Sequence, residues 1–159
     1  MVRDMSLRSL FNAAVRLLVA AFFLVLVGEA TAAPLVGADQ RAAFAAAGFH
    51  ANHGEWVRCG DTTTPSRQSG RIRIVDLNRD GAPEAWITEG STLCYGNAAS
   101  AFVLVTKTQG HWAVLLDGVG IPETLQTRTM GWPDLRVGLP GFQPPPIYRF
   151  DGRKYVRAP

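Results

Sequence analysis

Nine residues limit what this chain can fold into more than any other stretch: Asp76-Leu77-Asn78-Arg79-Asp80-Gly81-Ala82-Pro83-Glu84. They stand between two runs rich in β-branched and aromatic residues, 71–75 and 85–88, so the segment predicts strand, acidic turn, strand. Oxygen-bearing side chains fall at turn positions 1, 3, 5 and 9, with glycine at 6. A hard cation such as Ca²⁺ takes six to eight oxygens at about 2.3–2.6 Å. A short turn supplies them when alternate residues point inward and the chain then bends sharply. Asp76, Asn78 and Asp80 are the alternate residues, Gly81 permits the bend, Glu84 returns from the far side, and the Ala82 carbonyl adds an oxygen. An empty polar turn uses the same residue types, but strict alternation, then glycine, then a further acid favours a metal site. Arg71, Arg73 and Arg79 lie close in sequence and are the candidate competitors, able to pair with these carboxylates and weaken or replace the ion.

An EF-hand requires a bidentate Glu at position 12 and flanking helices. Position 12 here is Ile87 and the flanks read as strands, which excludes it. The turn instead resembles the calcium loops of FG-GAP-type repeats, which place Asp-x-Asp/Asn-x-Asp-Gly-x-x-Asp between two strands. Asp76, Asn78, Asp80 and Gly81 match, and Glu84 replaces the last Asp. There is one copy, whereas a propeller is built from several blades.

A wider resemblance is to a group of small exported bacterial proteins of mostly unassigned function. It rests on the acidic turn, on residues 94–98 with Cys94, and on the apolar run 102–105. It also takes in Thr127-Arg128-Thr129-Met130-Gly131-Trp132-Pro133-Asp134-Leu135 and Tyr148-Arg149-Phe150-Asp151-Gly152-Arg153-Lys154-Tyr155. Those relatives often carry a second cysteine just after the first, where this chain has Ala98 to Ser100. The resemblance implies a fold and an exported location more than an activity.

The first 33 residues read as a signal peptide. Arg3, Arg8 and Arg16 form a positive start, 17–27 is an unbroken apolar run, and small residues at 30–33 offer a cleavage site. The run falls short of the about twenty apolar residues that span a bilayer, which favours cleavage over an uncleaved N-terminal anchor, the alternative reading; after cleavage no stable membrane anchor is expected. A periplasmic or secreted location follows. Residues 34–159 are then one β-rich domain carrying the calcium-type loop at 76–84. This mature part holds 13 Lys/Arg and 11 Asp/Glu. The balance, with no basic run interleaved with aromatics, argues against nucleic acid as a partner. In an exported chain the two cysteines, Cys59 and Cys94, read as a disulfide enclosing the acidic turn. His50, His53 and His111 fit no metal-ligand spacing and read as exposed.

Residues 39–48 read as a helix that Asp39 caps and Gly48 ends, with Phe44 as its anchor. Runs 101–107 and 112–117 form a hairpin, 124–129 and 135–137 are further strands, and 147–150 with 154–156 form a hairpin across Asp151-Gly152. The proline-rich 138–146 is a surface loop; Phe142 in it and Tyr95 are candidate partner contacts. The fold expected is α+β, mostly β: an N-terminal helix packed on a twisted antiparallel sheet of about six or seven strands. Ile72, Ile74, Trp86, Leu104, Val114 and Leu116 are the expected core. The leading function is an exported small calcium-binding module, Ca²⁺ acting as a structural clip, with an envelope or extracellular protein as partner. The alternative is a metal-independent envelope binding or inhibitor module. A hydrolase of envelope polymers ranks below both, because no nucleophile elbow, zinc signature or phosphate loop is present, although Glu55, Asp61 and Glu89 are carboxylates that a cleft would have to pair. The reading is therefore not an enzyme.

Overall fold

A computed structural model describes residues 37–159 except 66, 99, 142 and 143. The signal peptide expected at 1–33 and the candidate contact Phe142 lie outside the described residues. After helix α1 (Ala38–Ala46) the chain makes a small hairpin of β1 (His50–Asn52) and β2 (Glu55–Val57). Four strands then form a meander: β3 (Gln68–Val75), β4 (Glu84–Gly90), β5 (Ser100–Thr108) and β6 (His111–Val119). Between β4 and β5 sit a one-turn helix, α2 (Thr92–Tyr95), and a 3-10 turn, Gly96–Ala98. A second meander follows: β7 (Ile121–Thr129), β8 (Trp132–Gly138), β9 (Ile147–Phe150) and β10 (Tyr155–Arg157).

The mostly β character is as expected, but the strand count is not: ten described strands form three antiparallel sheets, not about six or seven in one. Gly120 is the reason. It alone separates β6 from β7, at φ +125°, and a Cβ there would lie 2.5 Å from the Gly138 carbonyl oxygen. One residue is too short for a hairpin, so the chain turns a corner and begins a new sheet.

The two middle strands of the first meander, β4 and β5, are buried on both faces. Alternate residues of β4 and β5 face opposite ways. Ala85, Ile87, Val103 and Val105 share one cluster with Ala43, Phe44, Ala47 and Phe49. Trp86, Phe102 and Leu104 share another with Leu115, Leu116, Leu135, Val137 and Tyr155 of the following strands. Burying each large apolar side chain contributes roughly 1.5–3 kcal/mol. Trp86, Leu104 and Leu116 are buried as expected, and Ile72 and Ile74 are half-buried against the first cluster. Val114 is not core: it is 42% exposed. A bulge lets Leu104 pair with Leu116 and Val105 with Val114, so Leu115 is extra and both leucines enter the second cluster.

Two turn readings also change. Helix α1 is preceded by Gly37 and has no side-chain cap. Asp39 instead reaches Lys107 Nζ at 2.8 Å and accepts from Trp112 Nε1 at 3.1 Å. The last hairpin pairs Phe150 with Tyr155, so its turn holds four residues rather than two, and Asp151 Oδ1 accepts from the Arg153 and Lys154 N–H groups, each at 2.8 Å.

Candidate metal centre

The strand–turn–strand arrangement expected around the acidic segment forms, with β3 ending at Val75 and β4 beginning at Glu84. Within the turn, each acidic or amide side chain accepts from backbone a few residues ahead. Asp76 Oδ1 takes the Arg79 N–H at 2.8 Å and Asp76 Oδ2 the Gly81 N–H at 3.1 Å. Asn78 Oδ1 takes the Asp80 N–H at 3.0 Å, and Asp80 Oδ1 takes the Ala82 N–H at 2.7 Å. These bonds curl the chain around the side chains, which is the tendency of Asx residues in turns. The curl puts Arg79 at φ +66° and Gly81 at +84°, so the glycine fits and the arginine is held in a region that L-residues rarely occupy.

Glu84 differs from the other three. It is fully buried where β4 begins. Its Oε2 accepts from the Leu77 N–H at 2.8 Å and its Oε1 from the Thr106 hydroxyl at 2.9 Å. Thr106 is its cross-strand partner on β5. Burial pushes the Glu84 carboxyl up to about 6 against these two donors, and the nearby Asp80 and Asp76 charges push the same way. Glu84 thus pins the base of the turn, while Asp76 and Asn78 are half-buried and Asp80 is exposed. Among the described residues no group of three or more His, Cys, Asp or Glu stands arranged to hold a metal ion. The Asn78 amide donates to Asp80 Oδ2 at 2.6 Å, so a cation entering the turn would have to rotate that amide away.

The competing cations do not act as expected. Among the described residues no lysine or arginine lies within ion-pair distance of Asp76, Asp80 or Glu84. Arg128 on β7 instead supports the turn through a carbonyl, donating to Leu77 O at 3.1 Å and also to Gly131 O. Thr106 and Arg128 were not singled out from sequence. The threonine ending an apolar strand was the available signal for the first.

The other end of β4 is built differently. Cys59 and Cys94 form the expected disulfide, with a Cα–Cα distance of 6.2 Å. Glu89, nearly buried, accepts from the Arg58 and Cys59 N–H groups, each at 2.9 Å, and from the Tyr95 hydroxyl. Burial and the Glu89 carboxylate push the Tyr95 phenol above its ordinary range. The Tyr95 hydroxyl is therefore engaged by Glu89, and the side chain is half-buried. Asp61, also buried, accepts from the Ser91 hydroxyl at 2.6 Å, from the Thr64 hydroxyl and from the Thr63 and Thr64 N–H groups at 2.8 and 3.1 Å. These donors, Ser91 foremost, hold Asp61 well below the usual carboxylate range. Ser91 Oγ in turn accepts from the Leu93 and Cys94 N–H groups and caps α2.

No family model, curated protein or solved structure is detectably similar to this chain.

The three carboxylates considered for a catalytic cleft each have structural partners: Glu55 pairs with Arg67, and Asp61 and Glu89 hold the disulfide end. Among the described residues no helix is long and apolar enough to cross a membrane.

Proposed function

We propose that this chain is an exported small Ca²⁺-binding module in which the ion clips the turn between β3 and β4. One observation carries the reading: Asp76, Asp80 and Glu84 stand on one nine-residue turn, and among the described residues no lysine or arginine lies within ion-pair distance of them. Each carboxylate oxygen has two acceptor positions, and the turn's N–H groups use one apiece. The remaining lone pairs of Asp76, Asn78 and Asp80, joined by the Ala82 carbonyl, are the proposed ligands. Glu84 completes the charge from beneath. The signal-like leader and the disulfide support export to an oxidising compartment. The resemblance to FG-GAP-type calcium loops supports the same ion.

A second reading rests on a different observation. The turn's oxygens already accept from its own backbone, so the fold also stands as a metal-independent envelope module. Titration calorimetry of the oxidised, chelator-stripped protein separates the two. The calcium reading expects one site with a Kd of about 0.1–1 mM, weak or absent for Mg²⁺ and lost in Asp76→Ala and Asp80→Ala. Heat-silent Ca²⁺ titrations of folded wild-type protein would leave the metal-independent module.

A further inference from the structure

The face of the first meander that looks toward β7 carries a second unassigned feature. Arg71 pairs across with Thr88, and Arg73 with Trp86, so all four share that face. With Pro122 at the start of β7 they line a groove of about 420 Å³. A further cavity shares Arg71 and Thr88 with it and is also lined by Gln68, Ser69 and the acidic Glu89. Neither the Arg71 nor the Arg73 guanidinium has a hydrogen-bond or ion-pair partner among the described residues. Trp86, 4% exposed, forms part of the groove wall, and its Nε1 is the one buried side-chain polar atom among the described residues without a partner. A buried N–H without an acceptor is costly, and most folds avoid it.

Charge on an edge strand also blocks sheet-to-sheet association, and β3 is an edge strand. That role requires no concavity. The volume lies in the range of small-molecule sites, and the lining joins apolar surface to two arginines and a threonine. We propose that this groove binds a small organic anion. Its carboxylate or phosphate oxygens are held by the Arg71 and Arg73 guanidinium groups, and its apolar part lies against Trp86 and Pro122. Arginine suits such oxygens because its planar fork matches them in pairs. Residues two apart on one strand face are about 7 Å apart, so a ligand with two anionic groups engages both arginines.

The test uses ¹⁵N-labelled protein expressed from its full coding sequence, purified oxidised, stripped of metal with EDTA and then dialysed free of the chelator into metal-free buffer, which makes the outcome independent of the acidic turn. It is titrated at fixed ionic strength with glutarate, with inorganic phosphate and with neutral glutaramide. The chain has four tryptophans, and the indole N–H signal missing in Trp86→Phe identifies Trp86. Saturable movement of that signal with glutarate or phosphate, but not glutaramide, is expected. The anion that saturates names the oxyanion class. Arg71→Gln/Arg73→Gln should weaken binding about tenfold or more while the other three indole signals keep their positions. Arg71→Lys/Arg73→Lys should fall between. No saturation by either anion up to about 50 mM, or equal saturation in the double glutamine variant, would overturn the proposal and leave the arginines as edge protection.

Discussion

The two ends of β4 hold acids in opposite ways. At its C-terminal end, Asp61 and Glu89 are buried beside a disulfide and surrounded by hydroxyl and backbone N–H donors. At its N-terminal end, Glu84 is buried with two neutral donors among the described residues, and Asp76 and Asp80 stand nearby. The first end is complete: Asp61 is held below the usual carboxylate range. The second is electrostatically unfinished, and Glu84 is pushed up to about 6. Burial alone does not decide what a carboxylate becomes. Burial and the donors aimed at it decide together: burial dominates at Glu84, hydrogen bonds at Asp61.

The disulfide end should show the larger stability effects. Cys59→Ser/Cys94→Ser opens a link between residues 35 apart in sequence, and the chain-entropy model gives a loss of about 3–4 kcal/mol in denaturant unfolding. Glu89→Ala leaves the Arg58 and Cys59 N–H groups and the Tyr95 hydroxyl without their acceptor and should cost about 3 kcal/mol. A loss under about 1 kcal/mol would mean that this end is less finished than its hydrogen bonds indicate.

At the other end the effect should follow pH. The Glu84 pKa is raised above its unfolded value of 4.5 to about 6. The folded state therefore binds the extra proton, and stability present below the unfolded pKa is lost as pH rises through the folded one. In EDTA, unfolding free energy should fall by about 2 kcal/mol between pH 4 and 7, and Glu84→Gln should flatten that window. A wild-type slope kept in the glutamine variant would locate the titration elsewhere. Asp61 has the opposite sign: its contribution is present at neutral pH and is lost only under strong acid.

Much of this was legible in the sequence, for local reasons. The acidic turn, its two strands, the hairpin at Gln109–Gly110 and the disulfide all follow from spacing and residue type. The hairpin between β7 and β8 did not, because its turn places Met130 at φ +52° before Gly131, and methionine gives no turn signal. The split into separate sheets depended on the close approach of Gly120 to the Gly138 carbonyl, a contact between distant residues. Within the site, Asp76, Asn78 and Asp80 were readable from alternation, but the burial of Glu84 was not. It depends on Thr106 across the sheet and on packing from both sides of β4. The arginines illustrate the same limit. Arg71 and Arg73 are near the acids in sequence, but strand register places them along the groove with Thr88 and Trp86.

The most direct test of the unfinished end is thermal melting of the oxidised protein in EDTA, in Ca²⁺ and in Mg²⁺, with Asp76→Ala and Asp80→Ala alongside. At about 1 mM Ca²⁺ and a Kd near 0.1 mM, linkage gives about 1.4 kcal/mol, or roughly 5 °C in Tm. The account predicts that rise for Ca²⁺, little for Mg²⁺, and none in either variant. An unchanged Tm through several millimolar Ca²⁺, or a rise that survives both substitutions, would contradict it.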